Sequence, residues 1–324
     1  MRWDLGRCQL IRSQRVLSAW IQARQSMTTR GNVAMKKSWF VGLCLSLLMF
    51  GCSEGEQGTP KQTSSNETVN ERVGAPSLKL YTFDCGNIEV SDFDAFSSSG
   101  DYAGEGGKLV NTCYLVRHPE GDLLWDLGLP HALVGAEPQT NGIFTLSLDS
   151  ALTDLLTKID LTAADIELMS ISHSHFDHTG QAALFSSAEW LVHEDEFEHM
   201  FGTEEGIAQN AAFTELKKVI FSDNYDVFGD GSVVILEMPG HTPGHTALLV
   251  GLPESGPVLL SGDLYHRAES RELGRVPRFN SDEAQTRLSM AAFEQLAKEL
   301  GARVIIQHET SDVATLPEPP GFLN

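Results

Sequence analysis

Four side chains that can bind metal fall within six residues of this chain, directly after a short apolar run. The run Ile166–Ile171 is typical of a buried strand, and the order His-Ser-His-Phe-Asp-His follows it at His173, His175, Asp177 and His178. Side chains two residues apart on an extended stretch project to the same side, so the first two histidines can share one ion. The aspartate and the third histidine then turn toward a second ion. Any fold of this chain must therefore bring further ligands to the end of this strand.

Three more residues of ligand type lie far along the chain, at predicted strand ends or in turns that contain glycine. They are His245 in a His-Thr-Pro-Gly-His turn, Asp263 in a Ser-Gly-Asp turn, and His308. Glycine lets the backbone approach such a site closely. Imidazole and carboxylate ligands without thiolate suit zinc or a similar first-row divalent ion. The sequence therefore predicts a site for two divalent ions, with Zn²⁺ as the expected metal.

Short strand-like runs alternate with helical ones along the rest of the chain. Strands are predicted at Leu78–Phe83, Thr112–Arg117, Asp122–Asp126, Ser232–Glu237, Thr246–Gly251, Val258–Ser261 and Arg303–Gln307. Helices are predicted at Ser147–Lys158, Glu194–Phe201, Glu204–Lys218 and Ser281–Leu300. The strands come in consecutive groups with helices between them. This order favours an α+β fold, with two sheets covered by helices, over a doubly wound parallel sheet.

The ligand pattern resembles that of the metallo-β-lactamase superfamily over a catalytic domain of residues 78–324. The resemblance implies a four-layer αβ/βα sandwich of two mixed sheets covered by helices. It also implies a division of the seven ligands. His173, His175 and His245 would bind one metal, Asp177, His178 and His308 would bind the other, and Asp263 would bridge both.

Four stretches resemble the N-acyl-homoserine lactonase family within that superfamily. They are Leu80–Gly86, Asn111–Pro119, Leu124–Pro130 and Gly262–His266. The resemblance implies a quorum-quenching hydrolase that opens the ring of an acyl-homoserine lactone by means of a metal-bridging hydroxide. Another lactonase, esterase or thioesterase of the same fold remains open, as does a non-catalytic envelope protein that binds zinc or a lactone. β-Lactamase activity is disfavoured because Asp177 and Asp263 complete a ligand set that zinc β-lactamases usually alter.

The residues around the reacting centre are expected to differ from the family in one place. Lactonases of this family place a tyrosine three residues after the bridging aspartate, whereas this chain has His266 there and Tyr265 one position earlier. Either side chain is a candidate to hydrogen-bond the substrate, and Asp177 is a candidate to move a proton. Phe176 is expected in the wall of the substrate pocket. The loop from Phe93 to Gly107 is a candidate for contact with the acyl chain.

The N-terminal part is expected to be a targeting region rather than part of the fold. Lys36 and Lys37 precede an apolar run of 12 residues, Trp39 to Phe50, and Cys52 follows Gly51. Residues 35–51 therefore resemble a lipoprotein signal peptide with lipidation at Cys52, and an ordinary secretory signal remains the alternative. Residues 1–34 would then be an upstream extension from a misassigned start. The polar residues 52–77 would be a flexible tether to the bacterial outer membrane.

The formal net charge of −21 argues against a nucleic-acid partner, because such a surface repels phosphate backbones. An acyl lactone is the expected partner, and a homodimer is possible without being required by the sequence. Arg267, Arg271, Arg275 and Arg278 are expected to pair with surface carboxylates.

Two groups of residues are given plainer interpretations. For Cys85 and Cys113, a disulfide and two buried free thiols fit equally well. The remaining histidines are expected to be structural or solvated; they are His118, His131, His193, His199 and His241.

Overall fold

The structure, a computed structural model, describes residues 77–324. The predicted upstream extension (1–34), the signal peptide (35–51), the lipidated Cys52 and nearly all of the tether (52–77) lie outside the described residues and stay predictions. Between residues 77 and 324, no helix is long and apolar enough to cross a membrane.

Eight strands form the first sheet, in the order β4-β5-β1-β2-β3-β6-β7-β8. Their bounds are β1 Lys79–Val90, β2 Gly107–His118, β3 Gly121–Trp125, β4 Gln139–Asn141, β5 Phe144–Ser147, β6 Leu168–Ser170, β7 Glu189–His193 and β8 Lys218–Phe221. The pairs from β4 to β3 are antiparallel, and those from β3 to β8 are parallel. This sheet is therefore mixed.

Five strands form the second sheet, in the order β13-β12-β11-β10-β9. Their bounds are β9 Tyr225–Asp226, β10 Val233–Glu237, β11 Thr246–Leu252, β12 Gly256–Leu260 and β13 Arg303–Ile305. Only the β12–β13 pair is parallel among these. Strands β10, β12 and β13 therefore run in one direction and end at the same edge.

The α-helices are Leu152–Thr157, Phe176–Thr179, Glu194–Phe201, Glu204–Gln209, Ala211–Thr214, Ala268–Leu273, Glu283–Leu300 and Thr310–Val313. Short 3-10 helices lie at Phe93–Phe96, His131–Leu133, Ala163–Asp165, Ala182–Phe185 and Gly262–Leu264. The longest α-helix begins after Asp282, whose carboxylate accepts a hydrogen bond from the backbone of Gln285, and it ends at Gly301. An N-cap aspartate and a C-terminal glycine are the residues that helix ends favour.

Alternation along the strands divides the apolar side chains between layers. In β2, Cys113 and Leu115 pack with the helices on the outer face, whereas Tyr114 and Val116 face the other sheet. In β11, Leu248 faces the first sheet and Leu249 faces the helix Glu283–Leu300. Successive side chains of a strand point to opposite faces, so each sheet is buried on both sides. The predicted order of helix, sheet, sheet and helix is confirmed.

Several predicted elements differ from the observed ones. The helix predicted at Ser147–Lys158 is wrong at its start, because Phe144–Ser147 is strand β5. The helix predicted at Glu204–Lys218 is two short helices and the start of β8. Five short strands were not predicted: β4, β5, β7, β8 and β9. These strands are two to five residues long, and their pairing depends on neighbours that a local pattern does not show.

Cys85 and Cys113 lie on the neighbouring strands β1 and β2, and they form a disulfide with Cα atoms 5.8 Å apart. Both side chains are fully buried. Of the two interpretations that the sequence left open, the structure has the disulfide.

Replacing both cysteines by serine (C85S/C113S) should lower the free energy of unfolding. A cross-link that closes a loop of 28 residues contributes about 3–4 kcal/mol by restricting the unfolded chain. Urea unfolding measures the loss, and reduced wild-type protein should show a similar one. Alkylation of both thiols in denatured, unreduced protein would instead show that the bond is absent.

Candidate metal centre

Two groups of histidine and aspartate side chains lie beside one another and are almost completely buried. The first contains His173, His175, His241 and Asp263; in each group, one ligand atom of each residue lies within 4.8 Å of the others. The second contains Asp177, His178 and His308. Of the seven predicted ligands, six are in these groups. The seventh, His245, is not.

Strand ends place the ligands. The His-Ser-His-Phe-Asp-His motif follows β6, with Asp177 and His178 on the helix Phe176–Thr179. His241, Asp263 and His308 follow β10, β12 and β13, whose carboxyl ends meet at one edge of the second sheet. The site is therefore formed where this edge meets the end of β6.

The separations within the first group fit a metal ion. Nδ1 of His175 lies 2.8 Å from Nε2 of His173 and 3.1 Å from Nε2 of His241. Oδ2 of Asp263 lies 3.3 Å from the His241 nitrogen and 3.5 Å from the His173 nitrogen. Donors on a tetrahedral ion with bonds of about 2.0–2.1 Å lie about 3.3–3.4 Å apart. Three imidazoles and one carboxylate oxygen are thus already close to that spacing.

The other oxygen of Asp263 faces the second group. Oδ1 lies 3.0 Å from Nε2 of His308 and 3.4 Å from Nε2 of His178. Oδ2 of Asp177 lies 3.7 Å from each of these two nitrogens. Although Oδ1 of Asp263 is buried, it accepts no hydrogen bond. A buried carboxylate oxygen without a hydrogen bond costs free energy that a divalent ion would recover, so the donor set fits two ions with Asp263 between them.

The structure corrects the prediction that His245 is a ligand and that His241 is not. Nδ1 of His245 lies 2.9 Å from the carbonyl of Met238, and Nε2 accepts the backbone N–H of Asp263 at 2.9 Å. The ring therefore carries its proton on Nδ1, and its remaining lone pair is engaged. His245 has a structural role, which is to hold the backbone of Asp263.

The sequence could not distinguish these histidines because it contains the same Pro-Gly-His triplet twice, at Pro239–His241 and Pro243–His245. Gly262, with φ of +52°, makes the observed arrangement possible. A Cβ at this position would lie 2.6 Å from Nε2 of His245. Only glycine allows the chain to pass so close and in this conformation.

Burial controls the protonation of several site histidines. It lowers the pKa of His175 to about 3, with the neighbouring His241 adding to the shift. Burial likewise holds the pKa of His173 well below its usual value. Burial alone would raise the pKa of Asp263, but the imidazoles of His266, His308 and His178 hold it well below the usual value. Neutral imidazoles and an ionised carboxylate are the forms that bind metal.

Asp126 contacts the ring nitrogen of His178 that points away from the second group, a role that the sequence did not reveal. Its Oδ2 lies 3.0 Å from Nδ1 of His178, while Oδ1 accepts the backbone N–H of Ser172 at 2.6 Å. Gln307 donates to the same Oδ2 at 2.7 Å. Burial would lower the pKa of His178, but Asp126, Asp177 and Asp263 raise it well above the usual value. Such a carboxylate orients the imidazole and directs its other nitrogen toward the metal.

Glu196, also missed, ties two ligand-bearing loops together. Its Oε1 accepts the backbone N–H of Ser174 at 2.7 Å. Its Oε2 accepts the hydroxyl of Thr242 at 2.6 Å and the backbone N–H of Gly244 at 3.0 Å. Because hydrogen bonds satisfy both oxygens, this buried carboxylate fixes the position of the His173–His178 loop relative to the His241 loop. Glu196 is one of three acidic residues at the start of the helix Glu194–Phe201, so its sequence position does not reveal this role.

A cavity of about 260 Å³ opens over the two groups. Asp177, Asp263, His175, His266 and His308 contribute its polar atoms. The rest of the wall is apolar and consists of Ile88, Phe96, Leu109, Ile143, Phe144, Phe176 and Phe279. The cavity therefore combines an ionic floor with apolar walls.

Phe176 and the Phe93–Gly107 loop meet their predictions to different degrees. Phe176 lines the cavity as predicted, and its side chain is 42% exposed at the mouth. Of the loop's aromatic residues, Phe96 reaches the cavity, whereas Phe93 and Tyr102 pack against the guanidinium of Arg267.

His266 and Tyr265 point to different places. Nε2 of His266 lies 3.0 Å from Oδ2 of Asp263, and its ring lines the cavity. The hydroxyl of Tyr265 donates to Glu294 at 3.0 Å, and its ring packs against Phe293. The prediction of Tyr265 as a catalytic candidate is therefore corrected, because its hydroxyl is engaged away from the cavity.

The predicted pairing of the arginine run is confirmed. Arg267 pairs with Glu105 and Glu269, and Arg271 pairs with Glu294. Arg275 and Arg278 pair with Asp101 and Asp94.

Known proteins share this fold. Residues 106–308 match the family model of the metallo-beta-lactamase superfamily. The N-acyl homoserine lactonase AttM of Azorhizobium caulinodans is 26% identical over 263 residues, which cover 76% of this chain and 98% of that protein. AttM of Rhizobium radiobacter is 28% identical with the same coverage.

A solved structure of an enzyme with this fold also matches the chain. It is that of an N-acyl homoserine lactone hydrolase with the product N-hexanoyl-L-homoserine bound at its catalytic metal center. It matches with a TM-score of 0.67 and 25% identity, over 76% of this chain and 98% of that one.

Replacing His241 and replacing His245 should have different effects on the metal content of the protein. H241A removes a nitrogen that faces the first group, so the protein should retain about one equivalent of Zn²⁺ in place of two after dialysis. H245N removes a hydrogen bond to Asp263, so it should lower stability but keep both equivalents. Elemental analysis measures the Zn²⁺ content of each variant. H131A is the control, because His131 is exposed. Loss of one equivalent in H245N but not in H241A would restore the sequence prediction.

Proposed function

Because the chain belongs to the metallo-β-lactamase superfamily and is a hydrolase of that fold, we propose that it opens the lactone ring of N-acyl homoserine lactones at a two-metal centre. The observation that carries the proposal is the cavity, whose ionic floor is formed by both ligand groups and whose walls are apolar. A lactone with an acyl tail has the complementary division into a polar ring and an apolar chain.

The apolar walls favour a substrate with an acyl chain over a wholly polar one. Phe96, Phe144, Phe176 and Phe279 surround the space above the ligands. Binding pockets typically have volumes of about 300–1,000 Å³, and this cavity of about 260 Å³ is just below that range. The open mouth beside Phe176 leaves room for a longer chain to extend outward.

The chemistry divides between the expected ions and the side chains. Two bound divalent ions, with Zn²⁺ as the proposed metal, would acidify a shared water and polarise the lactone carbonyl. Asp177 faces the cavity from the second group and is the proposed carrier of a proton to the departing ring oxygen. His266 holds Oδ2 of Asp263 and presents its ring to the cavity, where it is placed to orient the substrate.

Ring opening of an acyl-homoserine lactone panel tests the proposal. The purified protein should open these lactones, lose activity with a chelator, and regain it with Zn²⁺. A nitrocefin-type β-lactam and a glutathione thioester serve as comparators, and proton release at constant pH is the measurement. Turnover of a comparator alone would favour another esterase or thioesterase activity. Metal-loaded protein that turns over no substrate would favour the non-catalytic binding protein.

Replacing His266 should lower kcat strongly, whereas replacing Tyr265 should not. H266A should lower kcat about 10²–10³-fold, the usual effect of losing one preorganised hydrogen-bond donor. Y265F should leave kcat and KM near wild type and cost about 1 kcal/mol of stability, because its hydroxyl bonds Glu294. Steady-state kinetics with one lactone, together with urea unfolding, measures both effects. The assignment fails if Y265F loses as much kcat as H266A.

A further inference from the structure

Asn280 is the hydrogen-bond partner of His241 and lies on the segment that also forms the cavity wall. Its Oδ1 is 2.7 Å from Nδ1 of His241. The preceding residue, Phe279, lines the cavity, and its ring lies 5.9 Å from that of His241. Two consecutive residues therefore contact the cavity and a ligand of the first group.

The direction of each hydrogen bond around Asn280 is fixed by its neighbours. The hydroxyl of Thr286 donates its proton to the carbonyl of Asp282 at 2.8 Å, so it accepts the amide of Asn280 at 2.7 Å. The amide nitrogen of Asn280 thus faces Thr286, and its oxygen faces His241. That oxygen accepts only from a protonated Nδ1, which leaves the lone pair of Nε2 directed at the ligand group.

The segment is held on both sides. Toward the ligand loop, Ser281 donates its backbone N–H to the carbonyl of His241 at 3.0 Å. Toward the Phe93–Gly107 loop, Arg278 donates its backbone N–H to Ala95 at 2.9 Å and pairs with Asp94. Asn280 therefore has a fixed backbone position as well as a fixed amide orientation.

The partners of the other ligands are different in kind. His308 donates Nδ1 to the backbone carbonyl of Val110 at 2.8 Å, and His178 bonds the fully buried Asp126. Asn280 is only partly buried and follows an exposed residue of the cavity mouth. Its side chain can be changed without disturbing a strand or opening the core.

We infer that Asn280 is a positioning residue for metal binding: it fixes the tautomer and orientation of His241 and so sets the affinity of the His173, His175 and His241 site. The inference rests on the proposed two-metal centre. Partners of metal-binding histidines are typically worth about 10–100-fold in metal affinity. The second site, with Asp177, His178 and His308, does not depend on Asn280 and should keep its affinity.

Zn²⁺ competition with a chromophoric chelator tests this on the full chain. N280L keeps the side-chain volume but has no acceptor, so one of two Zn²⁺ equivalents should bind about 10–100-fold more weakly. N280D retains an acceptor and should restore wild-type affinity. T286V frees the amide to rotate, so it should weaken the same equivalent by less. At saturating Zn²⁺, N280L should regain lactonase kcat with an unchanged KM.

N224L is the matched control, because Asn224 also uses its Oδ1 as an acceptor but bonds a backbone N–H, that of Glu237, at 2.8 Å. It should keep both equivalents. The inference is overturned if N280L binds both ions as tightly as wild type, or if N280D is as impaired as N280L. If N280L does not fold by circular dichroism, the comparison of T286V with wild type decides. Wild-type protein that binds no Zn²⁺ would overturn the proposed metal centre itself, whatever the variants show.

Discussion

The carboxylate of Asp263 is the point on which the site depends. Its two oxygens face the two ligand groups, one toward His241 and His173 and the other toward His308 and His178. Without this charge, the buried imidazoles would have no common counter-ion, and a low-dielectric interior makes such an absence costly. The backbone of Asp263 is held in turn by His245, and Gly262 makes that contact possible.

The two-sheet architecture explains how ligands from distant parts of the chain meet. Three of the ligands, His241, Asp263 and His308, follow strands of the second sheet that run in one direction. The apolar side chains within these strands fill the cores on both faces of the sheet, and the polar ligands lie beyond the strand ends. The remaining ligands follow β6 of the first sheet. Glu196 joins the two sources by accepting hydrogen bonds from Ser174 and from the loop of His241. The rigid sheets thus position loops that local structure alone would not order.

Sequence patterns predicted the layers and most ligands because both leave local signals. Apolar alternation identified the long strands, and the spacing of His173, His175, Asp177 and His178 identified the site. Short edge strands such as β4 and β9 were missed, since two or three residues give no period to detect. Asp126, Glu196 and Asn280 were missed for another reason. Each acts through a small number of hydrogen bonds to residues that are distant in the sequence. The sequence around an isolated carboxylate or amide does not indicate which distant residue it will bond.

The two wrong site assignments, His245 and Tyr265, have one physical cause. In each case the residue type and position suited the function, but the functional atoms were already engaged. Both ring nitrogens of His245 have partners, and the hydroxyl of Tyr265 bonds Glu294. His241 differs from His245 because its Nε2 faces the first group, 3.3 Å from Oδ2 of Asp263, and His266 differs from Tyr265 because its ring lines the cavity. A ligand or a catalytic group is therefore defined by which of its lone pairs or protons remain free after folding, and that depends on the whole fold.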